Sequence, residues 1–119
     1  MPEQTTRVKV TKLGTLSLVQ FADRKILDEL AIQEIQDELL KLVTDRDDGN
    51  RLVLSFANVD HLSSAALGML ITLNKRVKEK KGTLKLSDIK PQIFEVFKIT
   101  RLDKLFTIRE NRDKALEGF

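Results

Sequence analysis

Apolar side chains alternate in two short runs at the start of the chain. The first run is Val8, Val10 and Leu13, and the second is Leu16, Leu18 and Phe21, with Val19 on the opposite face. A period of two residues is typical of β-strands. Gly14-Thr15 separates the runs and is a turn signal, so the segment predicts a β-hairpin.

A helical period follows between residues 27 and 43. Apolar side chains recur there every three or four positions, and acidic side chains occupy much of the remaining surface. The predicted buried stripe consists of Leu27, Ala31, Ile35, Leu39 and Leu42. The pattern predicts an amphipathic helix. The polar residues 45–50, which include Gly49, predict its end.

Residues 51–59 are almost continuously apolar, which is typical of a strand buried on both faces in a parallel sheet. Residues 60–64 then predict a short loop, with Ser63 or Ser64 as the N-cap of a second helix. Basic residues and Gly82 predict the end of that helix. Gly68 lies inside it, and we expect this glycine to permit close packing against the sheet.

The remaining pattern completes an alternating α/β chain. Residues 83–87 alternate as a strand, Pro91 opens a third helix, residues 102–108 predict a loop with a short strand, and Asn111 caps a last helix. The predicted order is β-β-α-β-α-β-α-β-α in a single domain over residues 1–119. We expect a mixed four- to five-stranded sheet packed with about four helices.

The composition narrows the possible chemistry. The chain has 119 residues, contains no Cys, Trp or Tyr, and has a single histidine, His61. Disulfides, thiolate catalysis, cysteine zinc sites and sites with several histidines are therefore excluded. A catalytic triad would have to use His61, and no third group for it can be identified. We expect no enzyme activity, no metal and no cofactor.

Charge is distributed unevenly along the chain. Residues 1–60 carry 8 basic and 11 acidic groups, whereas residues 61–119 carry 13 basic and 7 acidic groups. One interpretation is that the acidic and basic clusters are two solvated helix faces. The other is that they form a polarised surface that binds a charged protein partner. Direct nucleic-acid binding is disfavoured, because no aromatic residues accompany the lysine cluster at residues 75–81. The polar N-terminus and short apolar runs favour a cytoplasmic protein without a membrane association.

The junction between the buried strand and the second helix is the candidate site. Helix N-termini offer free N–H groups and a positive dipole end, so a phosphate on Ser63 or Ser64 would meet favourable electrostatics. Asp60 would oppose the added charge. Serine at a helix start is also common as a cap alone, and generic physics favours that simpler role.

Residues 52–70 resemble the central signature of STAS domains, the family of anti-sigma factor antagonists and their relatives. The family pattern is a buried strand, a short loop and Asp-Ser-Ser-Gly-Leu-Gly at the start of a helix. Residues 62–68 have the sequence LSSAALG here, so Leu62 replaces the Asp, Ala65 replaces the Gly, and one additional residue, Ala66, precedes Leu67-Gly68. Pro91, Phe97, Leu102 and Ile108 resemble the C-terminal part of the family pattern.

The resemblance implies a regulatory function by partner switching. Such a protein binds an anti-sigma factor of the serine protein kinase type, which phosphorylates the first Ser of the pair, and a phosphatase reverses the reaction. That serine corresponds to Ser63, with Ser64 its neighbour. The implied partner-binding residues are Asp23, Asp60, His61, Leu62, Ser63, Ser64, Ala65 and Leu67. The alternative is a STAS-type scaffold or ligand-binding domain for a nucleotide or a lipid, with a pocket near the same residues.

Overall fold

A computed structural model describes residues 8–13, 16–22, 24–44 and 51–117 of the chain. The strands are β1 (Val8–Leu13), β2 (Leu16–Phe21), β3 (Lys25–Ile26), β4 (Arg51–Ser55), β5 (His61–Leu62), β6 (Thr83–Ser87) and β7 (Thr107–Arg109). The helices are α1 (Glu29–Thr44), α2 (Ser64–Glu79), α3 (Pro91–Ile99) and α4 (Arg112–Leu116), and a 3-10 turn spans Leu102–Lys104.

Five strands form one mixed sheet in the order β1-β2-β4-β6-β7. β1 and β2 pair antiparallel, and the other neighbours pair parallel, so the predicted hairpin and mixed sheet are confirmed. The predicted turn at Gly14-Thr15 lies outside the described residues. A β-α-β crossover between parallel strands packs its helix on the sheet, which places α1 and α2 side by side.

The two faces of the sheet are covered differently. On one face, β2, β4 and β6 contribute Val19, Leu54 and Leu86 to a large core that also contains the buried side chains of α1, α2 and α3. On the other face, Leu16, Leu18 and Val53 pack with Ala115 of the short helix α4. The central strands are therefore buried on both faces, as their nearly continuous apolar sequence predicts. Phe21 lies two positions after Val19 and therefore shares its face and its core, so the face predicted for Phe21, that of Leu16 and Leu18, was wrong.

The end of β4 and the start of α1 depart from the sequence prediction. β4 ends at Ser55, and a turn follows in which the Val59 N–H donates to the Phe56 carbonyl at 3.0 Å. α1 begins at Glu29 because Asp28 caps it, its carboxylate accepting from the Ala31 N–H at 3.1 Å. Leu27 therefore precedes the helix and is 49% exposed, so its place in the buried stripe was wrong.

Gly68 also differs from expectation. It lies on the exposed face of α2, and a Cβ added there would meet no atom within 4 Å. Close packing against the sheet is therefore not the reason for a glycine at this position. The buried face of α2 is made instead by Ala66, Leu70, Leu73 and Val77.

Candidate functional site

The candidate site is the corner between β4 and α2, which we define as residues 60–65. Ser63 has an extended backbone at φ −87° and ψ 167°, as N-cap residues do, and its Oγ accepts from the Ala66 N–H at 3.1 Å. The Ser63 carbonyl accepts from the Leu67 N–H at 3.1 Å. The predicted cap is thus confirmed and assigned to Ser63, whose hydroxyl is half-buried at the positive end of a helix of 16 residues.

A second, two-stranded parallel sheet fixes the position of the corner. His61 and Leu62 form β5 and pair with Lys25 and Ile26 of β3, where the sequence predicts a loop. The N–H groups of Asp60 and His61 donate to the Arg24 carbonyl at 2.7 and 3.2 Å. The Ser63 N–H donates to the Ile26 carbonyl at 3.1 Å. The corner is therefore held by the segment that follows β2, which accepts the N–H groups of Asp60, His61 and Ser63.

Lys90 forms an ion pair with Asp60, and the two side chains are 35% and 28% exposed. The hydrogen bond that the Lys90 ammonium donates lowers the pKa of the Asp60 carboxyl, against an opposing effect of partial burial. The positive charges of Lys90 and Arg24 lower it further. Asp60 is thus a carboxylate at neutral pH, and its negative charge is partly balanced before any phosphate is added.

The other predicted site residues differ in how far they are exposed. His61, Ser64 and Ala65 are exposed, and Leu62 is half-buried against the core. Leu67 is only 6% exposed and packs in the core, so it supports the corner from beneath and departs from the surface position expected of a partner-binding residue. Asp23 lies outside the described residues, although its neighbour Arg24 bonds directly to the corner.

Two contributors to the corner carry no signal in the sequence. Lys90 lies 30 positions from Asp60, and β3 is too short to show any period. Ile26 of β3 is fully buried, but it is a single apolar residue after Arg24 and Lys25 and gives no period.

Three cavities formed by described residues have linings that contain no corner residue. One of about 570 Å³ lies between α3 and β7 and is lined in part by Phe94, Phe106 and Arg109. One of about 320 Å³ lies at the carboxyl ends of β2 and β4, beside Gln20, Ser55 and Asp88. The third is a groove along α2. These three cavities therefore lend no support to the ligand-binding alternative, which expects a pocket near the corner.

The described residues contain neither a candidate metal site nor a candidate membrane span. No group of three or more His, Asp or Glu side chains that could hold a metal ion occurs in residues 8–13, 16–22, 24–44 and 51–117. Within these ranges no helix combines the length and the hydropathy required to span a bilayer.

The sequence model of the STAS domain matches residues 9–115, which is nearly the whole chain. The chain belongs to the STAS domain family. The STAS domain is 28% identical over 95 residues to BtrV of Bordetella bronchiseptica, a protein named as an anti-sigma factor antagonist, with 79% of each chain covered.

Solved structures agree on the fold. An anti-sigma-factor antagonist (STAS) domain protein from Planctomyces limnophilus superposes with a TM-score of 0.81 at 20% identity, covering 92% of this chain and 94% of that chain. The Bacillus cell fate determinant SpoIIAA in its phosphorylated form superposes with a TM-score of 0.69 at 12% identity, covering 92% and 96%. The fold predicted from the resemblance is confirmed.

Proposed function

We propose that this STAS domain is an anti-sigma factor antagonist that binds an anti-sigma factor of the serine protein kinase type through the corner at residues 60–65. Phosphorylation of Ser63 by that kinase weakens the complex, and a phosphatase restores it. The chain acts in this scheme as a non-enzymatic switch. Membership of the family and the named function of BtrV support the scheme.

The position of the Ser63 hydroxyl is the observation that carries this proposal. It lies at the N-cap of α2, accepts one backbone N–H and is only half-buried. A kinase must reach a hydroxyl that is exposed to solvent, and the switch must tolerate the product without unfolding. A phosphate at a helix N-terminus meets the unpaired N–H groups and the positive end of the helix dipole.

The local charges make the phosphorylated state tolerable for the domain. The first turn of α2 contains no acidic residue, so no carboxylate of that turn repels a phosphate on Ser63. Asp60 is the nearest acid along the chain, and the Lys90 ammonium already pairs with it. We therefore expect the phosphorylated domain to keep its fold.

The same charge acts differently against a partner. A phosphate brings nearly two negative charges and must lose part of its hydration shell when a second protein covers it. Placing it against acidic or apolar partner surface costs several kcal/mol. His61, Ser64 and Ala65 are exposed and lie within two positions of Ser63, so a partner that contacts them is expected to cover Ser63 as well. This is the physical reason for the proposed loss of binding on phosphorylation.

The test is phosphorylation by an anti-sigma factor kinase from the same organism, with ATP and Mg²⁺, followed by peptide mass spectrometry. We expect one phosphate, located on Ser63. The variant Ser63→Asn should take up none, because asparagine keeps the helix cap but has no hydroxyl. The matched control Ser64→Ala should be phosphorylated normally. Phosphate on Ser64 or elsewhere, or none on the wild-type chain while the kinase binds it, would contradict the proposed switch.

A further inference from the structure

A groove with apolar and basic side chains runs along α2, beyond the corner. It has a volume of about 410 Å³ and is lined by Ile71, Asn74, Lys75, Lys78, Glu79 and Leu105. Its apolar side chains, Ile71 and Leu105, are 41% and 39% exposed. The lining contains no residue of the corner at residues 60–65, so the groove is a separate surface of the domain.

Asn74 differs from the other lining residues because it is buried. It is only 5% exposed, and within residues 8–13, 16–22, 24–44 and 51–117 its carboxamide has no hydrogen-bond partner. A carboxamide has two N–H donors and an acceptor oxygen, and burying it without partners costs free energy. A buried carboxamide that borders a groove is therefore suited to a hydrogen bond with a molecule that enters the groove.

The charges of the groove favour an acidic occupant. Lys75 and Lys78 are exposed, and neither forms an ion pair with an acidic residue of the described part of the chain. Glu79 also lines the groove, but it pairs with Arg76 at 3.6 Å, so its charge is partly neutralised. The groove therefore presents two ammonium groups beside two apolar side chains.

The spacing along α2 matches that of an extended peptide. Ile71, Lys75 and Lys78 occupy positions i, i+4 and i+7, so they share one face of the helix. At a rise of 1.5 Å per residue they lie at about 0, 6 and 10.5 Å along the helix axis. Alternate side chains of an extended strand lie on one side at intervals of about 6.6 Å. An apolar residue and two acids, each two positions apart, therefore reach the three side chains, because lysine is long and flexible.

We propose that this groove binds an extended acidic segment of a partner protein. An apolar side chain of the segment packs between Ile71 and Leu105, and two acids at alternate positions pair with Lys75 and Lys78. The Asn74 carboxamide hydrogen-bonds to a backbone amide of the segment, which an extended chain leaves unpaired. This contact goes beyond the proposed switch, because it involves no residue of the corner.

The first test is an NMR titration of the isotope-labelled chain with the synthetic peptide acetyl-Gly-Leu-Ser-Glu-Ser-Glu-Gly-amide and with the peptide of reversed sequence. Both are used because the spacing is the same in either chain direction. At least one peptide should shift the side-chain amide signals of Asn74, which are identified by their absence in the variant Asn74→Leu. Tripolyphosphate carries negative charge without amide groups and should leave these signals unmoved.

Two outcomes of the titration would overturn the proposal. One is the absence of binding by both peptides at millimolar concentration. The other is an equal shift of the Asn74 signals with tripolyphosphate, which would make the groove a general anion site. Raising the ionic strength from about 0.05 M to about 0.5 M shortens the Debye length to about 4 Å, so peptide affinity should fall. An affinity independent of salt would contradict the lysine contacts.

Charge reversal tests those contacts directly. The variant Lys75→Glu/Lys78→Glu should bind the peptide at least about tenfold more weakly, because like charges then face each other. The control Lys9→Glu/Lys114→Glu makes the same change in net charge on exposed residues of β1 and α4, and it should bind as the wild type does. Circular dichroism confirms that both variants are folded. Equal losses of affinity in the two variants would refute the assignment of the groove.

The variant Asn74→Leu separates a binding role of this residue from a structural one. Leucine has the same branched outline as asparagine, has no polar group to leave unpaired and is the stronger helix former. The variant should therefore melt at the same temperature as the wild type or higher, yet bind the peptide about tenfold more weakly. A lowered melting temperature, or unchanged peptide affinity, would overturn the role assigned to Asn74.

Discussion

Ser63 has two separable roles, as a helix cap and as a hydroxyl at the surface, and three substitutions distinguish them. Ser63→Ala removes the side-chain acceptor of the Ala66 N–H and should cost about 1 kcal/mol of stability. Unfolding entropy is about 2.1 cal/mol/K per residue, so 119 residues give about 250 cal/mol/K. The melting temperature should therefore fall by about 4 °C.

The variants Ser63→Asn and Ser63→Asp keep an N-cap acceptor and differ from each other by one charge. Both should melt within about 2 °C of the wild type, because their caps are as strong as that of serine. The negative charge of the introduced aspartate is stabilised by the helix dipole and destabilised by repulsion from Asp60, three positions upstream. Thermal unfolding followed by circular dichroism measures all three. A Ser63→Ala variant as stable as the wild type would refute the capping argument, whatever its effect on binding.

The three variants also separate the partner contact from the fold. Ser63→Asp should bind the anti-sigma factor at least about tenfold more weakly than Ser63→Asn, because only the charge differs. Isothermal titration calorimetry at a temperature well below both melting points gives the comparison. Equal affinities of the two variants would place Ser63 outside the interface.

Three further predictions concern the scaffold. Gly68→Ala should raise the unfolding free energy by about 1 kcal/mol in urea titrations, because the added methyl group meets open space within a helix; a loss of stability would contradict the exposed position. Phe56→Ala should lower the unfolding free energy by about 3–5 kcal/mol, since Phe56 is fully buried and its ring lies 4.9 Å from that of Phe21. Lys90→Met should raise the pKa of Asp60 in an NMR titration, because it removes the hydrogen bond that lowers this pKa. A lowered carboxyl pKa contributes stability above the ordinary Asp value of about 3.9 and loses it as pH falls through the folded value. Lys90→Met should therefore show a smaller loss of stability in acid, and an unchanged pKa would rule out the ion pair.

The sequence predicted those elements that carry a clear apolar pattern over several residues. α1 has a single buried stripe, and β4 is a nearly continuous apolar run between polar segments, so both were evident. The boundaries of elements were predicted wrongly where the apolar pattern does not distinguish a buried strand from a buried turn. The end of β4 was placed too late because Phe56 and Val59 are fully buried although they lie in a turn.

The candidate site was predictable only in part. The capping role of Ser63 follows from local residue preferences at a helix start, which short-range rules describe well. Its surroundings depend on contacts between distant segments. Arg24 bonds to Asp60 and His61 from a separate loop, and Lys90 reaches Asp60 from the loop before α3. No local preference encodes such contacts, so a fold is needed before they can be recognised.

The small parallel sheet of β3 and β5 determines how local opening of the domain proceeds. Three consecutive or nearly consecutive amide protons, those of Asp60, His61 and Ser63, are donated to carbonyls of the segment at residues 24–26. The corner cannot separate from that segment without exposing all three to solvent exchange. Their hydrogen-exchange rates therefore report one opening event. Any change that stabilises or destabilises the corner changes the three protection factors together. Opening of the segment at residues 24–26 is thus thermodynamically coupled to the position of Ser63, and the coupling acts through these three hydrogen bonds without contacts in the core.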